Sequence, residues 1–406
     1  MTVVWRVPGR LEVLGKHTDY AGGDVLVCAV ERGVVASASR GAGDAIVARS
    51  SGFADPVTVR AGLDPGLPAG HWGRYLQTVL DRLTANFGPV AGAELAFSSD
   101  LPMASGMSSS SALLVASALA LADLNGLRRS DGWRHVLGDD PLRLASYLAS
   151  VENGRSFGGL AGHAGVGTLG GSEDHTAMLC GERDALGHFG FAPVALRGRV
   201  PWPPGWTFVV AVSGVTAEKS GATRDLYNRA SLATTEALSR WNQRTGRADP
   251  TLADAVRSDP GAPALLQGLV RGDPYLGSRV TQFVEESEVL VPAATQALLS
   301  GDLSGFGGAV DESQRLAESH LGNQVPQTIA LASAARDLGA RAASAFGAGF
   351  GGSVWAMVPD ADADGFAAAW LARFRRGFPA QAAAASAFAT SPADPAGRVD
   401  AAGWGV

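Results

Sequence analysis

The chain has 406 residues, of which 46% are hydrophobic and 18% charged, a composition typical of a globular protein long enough for two domains with sizeable cores. Its formal net charge is −6 and it has no cluster of Lys and Arg, which argues against nucleic acid or an anionic membrane as a partner. Cys28 and Cys180 are far apart in the sequence, the N-terminus MTVVWRVPGR is not a signal segment, and no apolar run is long enough to span a membrane, so the sequence predicts a reduced, cytoplasmic protein.

The first 200 residues show strand patterns interrupted by helix patterns. Two short strands, over 2–7 and 11–15, flank Pro8-Gly9-Arg10. The apolar residues of 71–86 recur with the 3.6-residue period of a helix, and a second helix is expected in the Ala- and Leu-rich run that ends at Asn125. The remaining strands are expected over 25–30, 34–40, 45–49, 57–59 and 93–98, with a further helix over 142–150.

A second domain is predicted to begin near residue 200. A proline-rich break over 201–205 precedes an apolar strand over 206–213, which divides the chain into domains of 1–200 and 201–406. Strands are also expected over 354–358 and near 383–390. The helices of this half are expected over 219–242, 252–257, 262–270, 276–300, 302–319, 325–338 and 364–374.

The stretch from Leu101 to Asn125, LPMASGMSSSSALLVASALALADLN, contains the strongest candidate for an anion site. A flexible run with Gly106 leads into four serines, Ser108 to Ser111, which supply an N-cap for the helix that follows. The first N–H groups of a helix have no intrahelical partner and the helix dipole adds positive charge there, so a polyphosphate fits at this point. The alternative is a Ser-rich loop that only caps a core helix.

Polar residues are also dense in the turn after the first strands. Arg10, His17, Asp19 and two glycines crowd the connection between two strands. A mere connector needs no such set, and loops that carry function are built in this way. The alternative is that His17 and Asp19 are ordinary turn residues.

Further along, Glu152 and Asp174 lie on either side of a glycine-rich run, 158–171. The default interpretation of two such acids is solvated carboxylates. His163 and His175 have no partner at a zinc-like spacing, which favours surface or supporting roles over metal ligation. The second glycine-rich loop, GAGFGG over 347–352, is weak by itself because such turns before strands are common.

Three stretches occur in order, PGRLEVLGKHTDYAGG, LPMASGMSSSSAL and GAGFGG, and together they resemble the three motifs of the GHMP small-molecule kinases. The first looks like the galactokinase signature. Trp72 and Tyr75 look like that family's W-x-x-Y helix, and Leu226-Tyr227-Asn228-Arg229 looks like its sugar-contacting Tyr-Asn-x-Arg segment. The resemblance extends over nearly the whole chain.

The resemblance implies an α+β, two-domain GHMP kinase fold with the active site in the cleft between the domains. It implies an ATP-dependent enzyme that transfers the γ-phosphoryl group to the anomeric hydroxyl of galactose or a similar sugar, with Mg²⁺ as cofactor. Carried over residue by residue, Asp174 is the base and Arg10 holds it ionised and offsets phosphoryl charge. Ser110 and Glu152 would hold the metal. ATP would be bound by Trp72, Gly106, Ser108, Ser109 and Ser110, and the sugar by Lys16, His17, Asp19, Gly171 and Tyr227. GAGFGG would lie behind the phosphate loop.

The chain departs from the family pattern in three places. Lys16 stands where the family has Glu near the sugar's C6 hydroxyl, so either the preferred sugar differs there, as a uronic acid or L-arabinose does, or Lys16 turns to solvent and galactose is accepted. Glu173 and His175 flank Asp174 and are alternative bases. The run 158–171 is longer than usual, which suggests a lid over the acceptor site or a disordered surface loop.

Two other functions compete with a sugar 1-kinase: an inactive regulator that binds ATP and sugar, and a kinase for a non-sugar alcohol such as mevalonate or homoserine. His17-Thr18-Asp19-Tyr20 and the Tyr227 segment argue against a non-sugar alcohol, and the serine run, Arg10 and Asp174 favour activity. The expected partners are a small sugar and ATP, without nucleic acid or membrane, and the expected state is a monomer or homodimer.

Overall fold

A computed structural model describes residues 2–102, 105–216 and 221–400 and has two β-sheets with helices packed on them, as the α+β prediction requires. The strands are β1 (Thr2–Leu14), β2 (Asp24–Arg40), β3 (Ile46–Ser50), β4 (Val57–Val59), β5 (Ala93–Ser99), β6 (Ala185–Gly190), β7 (Ala195–Pro201), β8 (Trp206–Val212), β9 (Ala342–Ala345), β10 (Ser353–Pro359), β11 (Ser386–Thr390) and β12 (Gly397–Arg398). The α-helices are α1 (Trp72–Phe87), α2 (Ser109–Leu124), α3 (Asp131–Val136), α4 (Pro141–Asn153), α5 (Glu173–Cys180), α6 (Gly221–Thr245), α7 (Leu252–Arg257), α8 (Ala262–Val270), α9 (Pro274–Val284), α10 (Val291–Ser300), α11 (Leu303–Leu316), α12 (Pro326–Asp337) and α13 (Ala363–Gly377).

The first sheet contains eight strands, in the order β12-β1-β2-β5-β3-β4, with β6 and β7 added beside β2. The sequence predicted two strands over 2–7 and 11–15 and two more over 25–30 and 34–40, and each pair is one long strand. The β1–β2 register shifts between Pro8 and Arg10 and again between Glu12 and Leu14. Such irregularities absorb Pro8-Gly9 without ending the strand, which is why the predicted break is wrong.

Helix α2 is the central helix of this half and packs on β1 and β2. Its residues are Ala, Leu, Val and Ser on every side except for Asp123 in its last turn, and most of them are buried. A helix that is apolar all round stabilises a fold only when other elements enclose it, and here α1 and α4 also pack against it. The N-terminus of α2 is thereby held rigidly at the edge of the cleft described below.

The second sheet is antiparallel, in the order β11-β8-β10-β9, and is covered by α12 and α13. Between β8 and β9 the chain forms the helices α6 to α12. The predicted helix over 276–300 is interrupted by a π-helical turn at Glu285–Leu290, and another at Ala317–Leu321 follows α11. The predicted start of the 219–242 helix at Lys219 lies outside the described residues, and from Gly221 onward the helix is confirmed.

The proposed division at residue 200 stays a prediction. β8 starts the second sheet at Trp206, while β12, near the end of the described chain, returns to pair with β1 in the first sheet. No helix in the described ranges is long and apolar enough to cross a membrane.

Candidate active site

Seven of the predicted site residues line one pocket of about 480 Å³ that is open to solvent. They come from β1 and its following turn, from the end of α4, from the loop and first turn of α5, and from α6. These residues are Arg10, His17, Asp19, Glu152, Gly171, Asp174 and Tyr227. The pocket therefore unites segments that are more than 200 residues apart in the sequence.

Arg10 occupies the centre of the pocket and is 4% exposed. Its Nε donates to Asp174 Oδ1 at 2.7 Å and lies 3.3 Å from Glu173 Oε1, and its Nη1 donates to the carbonyl of Gly106. Burial alone would lower the pKa of Arg10, but the carboxylates of Asp174 and Glu173 raise it above its usual range. One permanently charged guanidinium thus joins the predicted base to the predicted phosphate loop.

Asp174 and Glu173 begin α5, a helix that the sequence analysis did not predict. The positive end of the helix dipole favours carboxylates in a first turn. Burial and the nearby Glu12 raise the pKa of Glu173 well above its ordinary value, with Arg10 opposing them. The structure therefore gives the two neighbouring acids different environments, with Asp174 taking the shorter bond to Arg10.

Asp19 and Gly171 are in close contact on the other side of the pocket. Asp19 Oδ2 accepts the backbone N–H of Glu173 at 3.0 Å, and Oδ1 accepts that of Tyr20 at 2.8 Å. A Cβ added at Gly171 would lie 2.1 Å from Asp19 Oδ2, so only glycine permits this approach. The turn after β1 and the loop before α5 are locked together by this contact.

An aromatic group completes that side of the pocket. His17 Nδ1 is 3.0 Å from the Tyr20 hydroxyl, and its Nε2 is 3.1 Å from the carbonyl of Ala348 in the GAGFGG loop. Because a carbonyl only accepts, Nε2 carries the proton and Nδ1 accepts from Tyr20. The Tyr227 ring lies 5.2 Å from the His17 ring, and burial raises the pKa of Tyr227 well above its ordinary value, which keeps the hydroxyl protonated as a donor.

The N-terminus of α2 differs in one respect from its prediction. Ser108 is at the N-cap position, but its φ of 58° is left-handed and its side chain makes no capping hydrogen bond. The expectation that serine caps this helix is therefore wrong at the side-chain level, and the first N–H groups keep their capacity for an anion. Gly106 has φ +81°, and a Cβ on Gly347 would lie 2.8 Å from its carbonyl, so the GAGFGG loop packs directly against the predicted phosphate loop, as expected.

Ser109 and Ser110, the first two residues of α2, are half-buried. The fully buried serine is the next one, Ser111, which the sequence analysis left unassigned. Its hydroxyl donates to Glu152 Oε2 at 2.9 Å and is 3.4 Å from Asp174 Oδ2. His175 Nε2 lies 3.2 Å from the same Glu152 oxygen. Ser111 thus connects the predicted metal ligand to the predicted base.

The donor set here suits a hard cation. Serine hydroxyls and the Glu152 carboxylate supply oxygen ligands, which Mg²⁺ prefers, and Mg²⁺ usually takes its other ligands from substrate phosphates and water. In the part of the chain that the structure describes, no three His, Cys, Asp or Glu side chains form a metal cluster of their own. The assignment of Ser110 and Glu152 as metal ligands stays a prediction.

Lys16 is buried and is not among the described residues that line the pocket. Its Nζ donates to Ser313 Oγ at 2.7 Å, and Ser313 in turn donates to Glu286 Oε1 at 2.8 Å. Lys16 was expected either to face the sugar or to turn to solvent, and the structure shows neither. Direct contact between Lys16 and a sugar stays a prediction, while its observed hydrogen-bond partners Gln282, Glu286 and Ser313 are helical residues 266 or more positions away.

Glu12, two residues after Arg10 on β1, was not predicted and lines the pocket. The side chains of a strand alternate between faces, so residues 10 and 12 share the face that looks into the pocket. This period-2 relation was available in the sequence. The predicted strand that begins at residue 11 leaves Arg10 in the break before it, so the prediction does not place Arg10 and Glu12 on one strand.

Trp72 begins α1 and is 7% exposed. Its ring stacks on Phe53, with 5.7 Å between ring centroids, and on His71 at 5.9 Å. An aromatic shelf of this kind is suited to a planar base, and it lies outside the pocket around Arg10. Its role in ATP binding stays a prediction.

The glycine-rich run 158–171 is an irregular loop held at its C-terminal end. Asn153 Nδ2 donates to the carbonyl of Gly170 at 2.8 Å, and Asn228 Oδ1 accepts from the N–H of Leu169 at 2.9 Å. Thr168 within it lines the pocket. The end of the loop therefore forms part of the pocket wall, whereas its His163 is exposed at the surface.

Comparison with known proteins agrees with this geometry. Three family models match in order: the galactokinase galactose-binding signature over residues 1–40, the GHMP kinases N terminal domain over 74–164 and the GHMP kinases C terminal over 294–376. The galactokinase of Chloroflexus aurantiacus is 30% identical over 378 residues, covering 91% of this chain and 87% of the relative. That of Streptomyces coelicolor is 29% identical over 371 residues, covering 89% and 86%.

Among solved structures, Lactococcus lactis galactokinase complexed with galactose has a TM-score of 0.82 at 22% identity, covering 98% of this chain and 95% of that one. An L. major mevalonate kinase in complex with R-mevalonate has a TM-score of 0.56 at 15% identity, covering 96% and 95%. Both show the fold, and the first is the better match. The chain therefore belongs to the galactokinases within the GHMP kinases and is an ATP-dependent sugar kinase.

Proposed function

We propose that this enzyme transfers the γ-phosphoryl group of ATP to the anomeric hydroxyl of galactose or a galactose-like sugar. The observation that carries the proposal is the Arg10 guanidinium, which donates to Asp174 at 2.7 Å and to the carbonyl of Gly106. One cation thereby connects the proton acceptor of the sugar side with the loop that would hold the phosphates.

In the proposed step, Asp174 takes the proton of the anomeric hydroxyl. The sugar oxygen forms a bond to the γ-phosphorus as the bond from that phosphorus to the bridging oxygen of ADP breaks, and ADP leaves. Asp174 suits this role because Arg10 keeps it ionised, whereas burial raises the pKa of Glu173 and favours its protonated form. Arg10 also offsets charge on the transferring group.

The nucleotide would bind with its phosphates at Gly106, Ser108, Ser109 and Ser110, where the N-terminus of α2 carries no side-chain cap. We assign the adenine to the aromatic shelf of Trp72. Ser110 and Glu152 would hold Mg²⁺, which neutralises phosphate charge when bound. Such an enzyme would act in the cytoplasm, where ATP and Mg²⁺ are abundant and where the two buried free cysteines stay reduced.

The sugar would be bound by Asp19, His17, Tyr227 and the Gly171 backbone, which together offer two carboxylate oxygens and several donors. A uronic acid suits this pocket poorly, because its wall carries several carboxylates and Lys16 is engaged with Ser313. A neutral sugar avoids that repulsion.

The test is an ADP-release assay with ATP, Mg²⁺ and separate acceptors: D-galactose, L-arabinose, D-galacturonate, D-glucuronate and mevalonate. We expect turnover with galactose and little with either uronate. Turnover with mevalonate alone would contradict the proposal. Binding of both ATP and sugar without sugar phosphate would point instead to a regulator.

A further inference from the structure

Glu12 is a buried acid that the proposed reaction does not use. Its side chain lines the pocket and is 2% exposed. No hydrogen bond from any described residue reaches its Oε1. A carboxylate taken out of water without a donor is strongly destabilising, so such a group in a pocket wall points to a donor that arrives with a ligand.

The two cations that act on Glu12 do not supply that donor. Lys16 Nζ donates to Ser313, and Arg10 donates to Asp174 and to the Gly106 carbonyl. Both act on Glu12 only through space, and burial raises the pKa of Glu12 to about 7 in spite of them. The protein therefore leaves this carboxyl incompletely compensated.

The excess of negative charge extends through the pocket. Among the described residues of its wall, Arg10 is the sole Arg or Lys. The carboxylates of the same wall are Glu12, Asp19, Glu152, Glu173 and Asp174. Glu152 and Asp174 face the nucleotide side through Ser111, whereas Glu12 acts on Glu173 and Asp19. On the acceptor side, Glu12 Oε1 and Glu173 Oε1 have no hydrogen-bond donor among the described residues.

We propose that the acceptor is a sugar in which an ammonium group replaces one hydroxyl, and that Glu12, with Glu173 beside it, binds that ammonium. This inference rests on the proposed sugar kinase function and specifies its substrate class. An ammonium brings three donors and a positive charge, whereas a hydroxyl brings one donor and none, and hydrogen bonds between charged groups are roughly twice as strong as neutral ones.

A divalent cation is a poorer candidate for the same place. In the described ranges of the chain, no three His, Cys, Asp or Glu side chains converge as metal ligands. An ammonium needs no such coordination geometry, because its donors can reach two carboxylates through ordinary hydrogen bonds.

The experiment compares kcat/KM for D-galactose with kcat/KM for its four monoamines, which carry the ammonium at C2, C3, C4 or C6. N-acetyl-D-galactosamine serves as the uncharged nitrogen control. We expect at least one amine to exceed galactose by about tenfold and the acetylated sugar to lose that gain. If galactose is used at least as well as every amine, the inference is overturned while the sugar kinase function stands. If no sugar is phosphorylated, the proposed function itself fails, and the inference fails with it.

The variant Glu12→Gln tests the residue. It keeps the shape of the side chain but removes its charge, so we expect the ratio of amine to galactose kcat/KM to fall by about tenfold. Glu94→Gln is the matched control, since Glu94 is exposed on β5, and it should leave the ratio unchanged. An unchanged ratio in a folded Glu12→Gln enzyme would overturn the assignment to Glu12. If that variant does not fold, the substrate series on the unaltered enzyme still decides the proposal.

Discussion

Two clusters of buried charges lie on β1 and β2, and they differ in how completely their carboxylates are paired with donors. In the first, at the beginning of β2, Asp24 Oδ2 is 3.0 Å from His188 Nε2, and Oδ1 accepts from Arg257 Nη2 at 3.0 Å. Arg257 Nε also donates to Glu288 at 2.8 Å. In the second, around Arg10 on β1, carboxylates outnumber cations, and Glu12 Oε1 has no hydrogen-bond donor within the described chain.

The pKa values follow from the number of donors. Burial alone would raise the pKa of Asp24, but His188 and Arg257 lower it below its ordinary value. Glu12 is more deeply buried, and burial raises its pKa to about 7 because its cations are also engaged elsewhere. We call the Asp24 cluster closed, because its carboxylate has donors on both oxygens, and such a cluster stabilises the fold. We call the Arg10 cluster open, because it contains a carboxylate oxygen without a donor, which remains available to a ligand.

Exchange of one aspartate for asparagine in each cluster separates these roles most clearly. We expect Asp174→Asn to lower kcat by about 1000-fold, because the amide cannot accept the hydroxyl proton. Asp24→Asn should instead lower the thermal midpoint and leave kcat near that of the parent. ADP release and thermal unfolding measured on both variants give the answer. If Asp174→Asn kept more than about a tenth of the parent kcat, Asp174 would not be the general base.

The serines of α2 offer a finer contrast within the open cluster. Ser111→Ala removes the hydroxyl that joins Glu152 to Asp174, and we expect kcat to fall about 10- to 100-fold as both carboxylates lose their fixed orientation. The KM for sugar should change less than kcat. Ser110→Ala removes the proposed metal ligand and should mainly raise the Mg²⁺ concentration needed for half-maximal rate. Equal Mg²⁺ requirements in the two variants would contradict this division of roles.

The distinction between Ser110 and Ser111 also shows where sequence reasoning stops. Motif order was enough to predict the fold and seven residues of the pocket wall, while the phosphate-binding role of the loop before α2 stays a prediction. Neighbouring residues of a helix differ by about 100° in direction, so the serine that faces Glu152 depends on how α2 docks on the sheet. Four serines in a row contain no local signal for that rotation.

Lys16 illustrates a second limit. Its partners Ser313 and Glu286 lie on the distant helical segment, and nothing near Lys16 in the sequence announces them. Glu12 was more accessible, since strand alternation from Arg10 places it on the same face. The π-helical turns after α9 and α11 were not predictable from apolar periodicity, because one extra residue per turn alters the period only locally.

Removal of a cation tests the closed cluster. Arg257→Ala leaves Asp24 and Glu288 without a shared donor, and because the Arg257 side chain is one-third exposed, we expect a loss of about 1–2 kcal/mol in the free energy of unfolding. Arg373→Ala is the matched control. It breaks an exposed pair with Asp337 and should cost less than about 0.5 kcal/mol. Denaturant unfolding measures both, and equal losses would mean that the Asp24 cluster is no more stabilising than a surface ion pair.

The last contrast between the two clusters is in how stability depends on pH. Glu12 has a pKa of about 7 in the folded protein against an ordinary value of 4.5, so the folded state binds the proton more tightly. Its contribution to the free energy of unfolding is therefore fully present below pH 4.5 and is lost as the pH rises through about 7, with a slope of at most about 1 kcal/mol per pH unit.

Glu12→Gln should flatten the decline of the thermal midpoint between pH 5 and about 7. Glu173, whose pKa is also raised, accounts for a remaining slope of the same sign. Asp24 has the opposite shift, so its contribution is lost only as the pH falls below its ordinary value, outside this window. A Glu12→Gln protein with the parent's slope would show that Glu12 is already compensated in the folded state, and the contrast between the open and the closed cluster would then disappear.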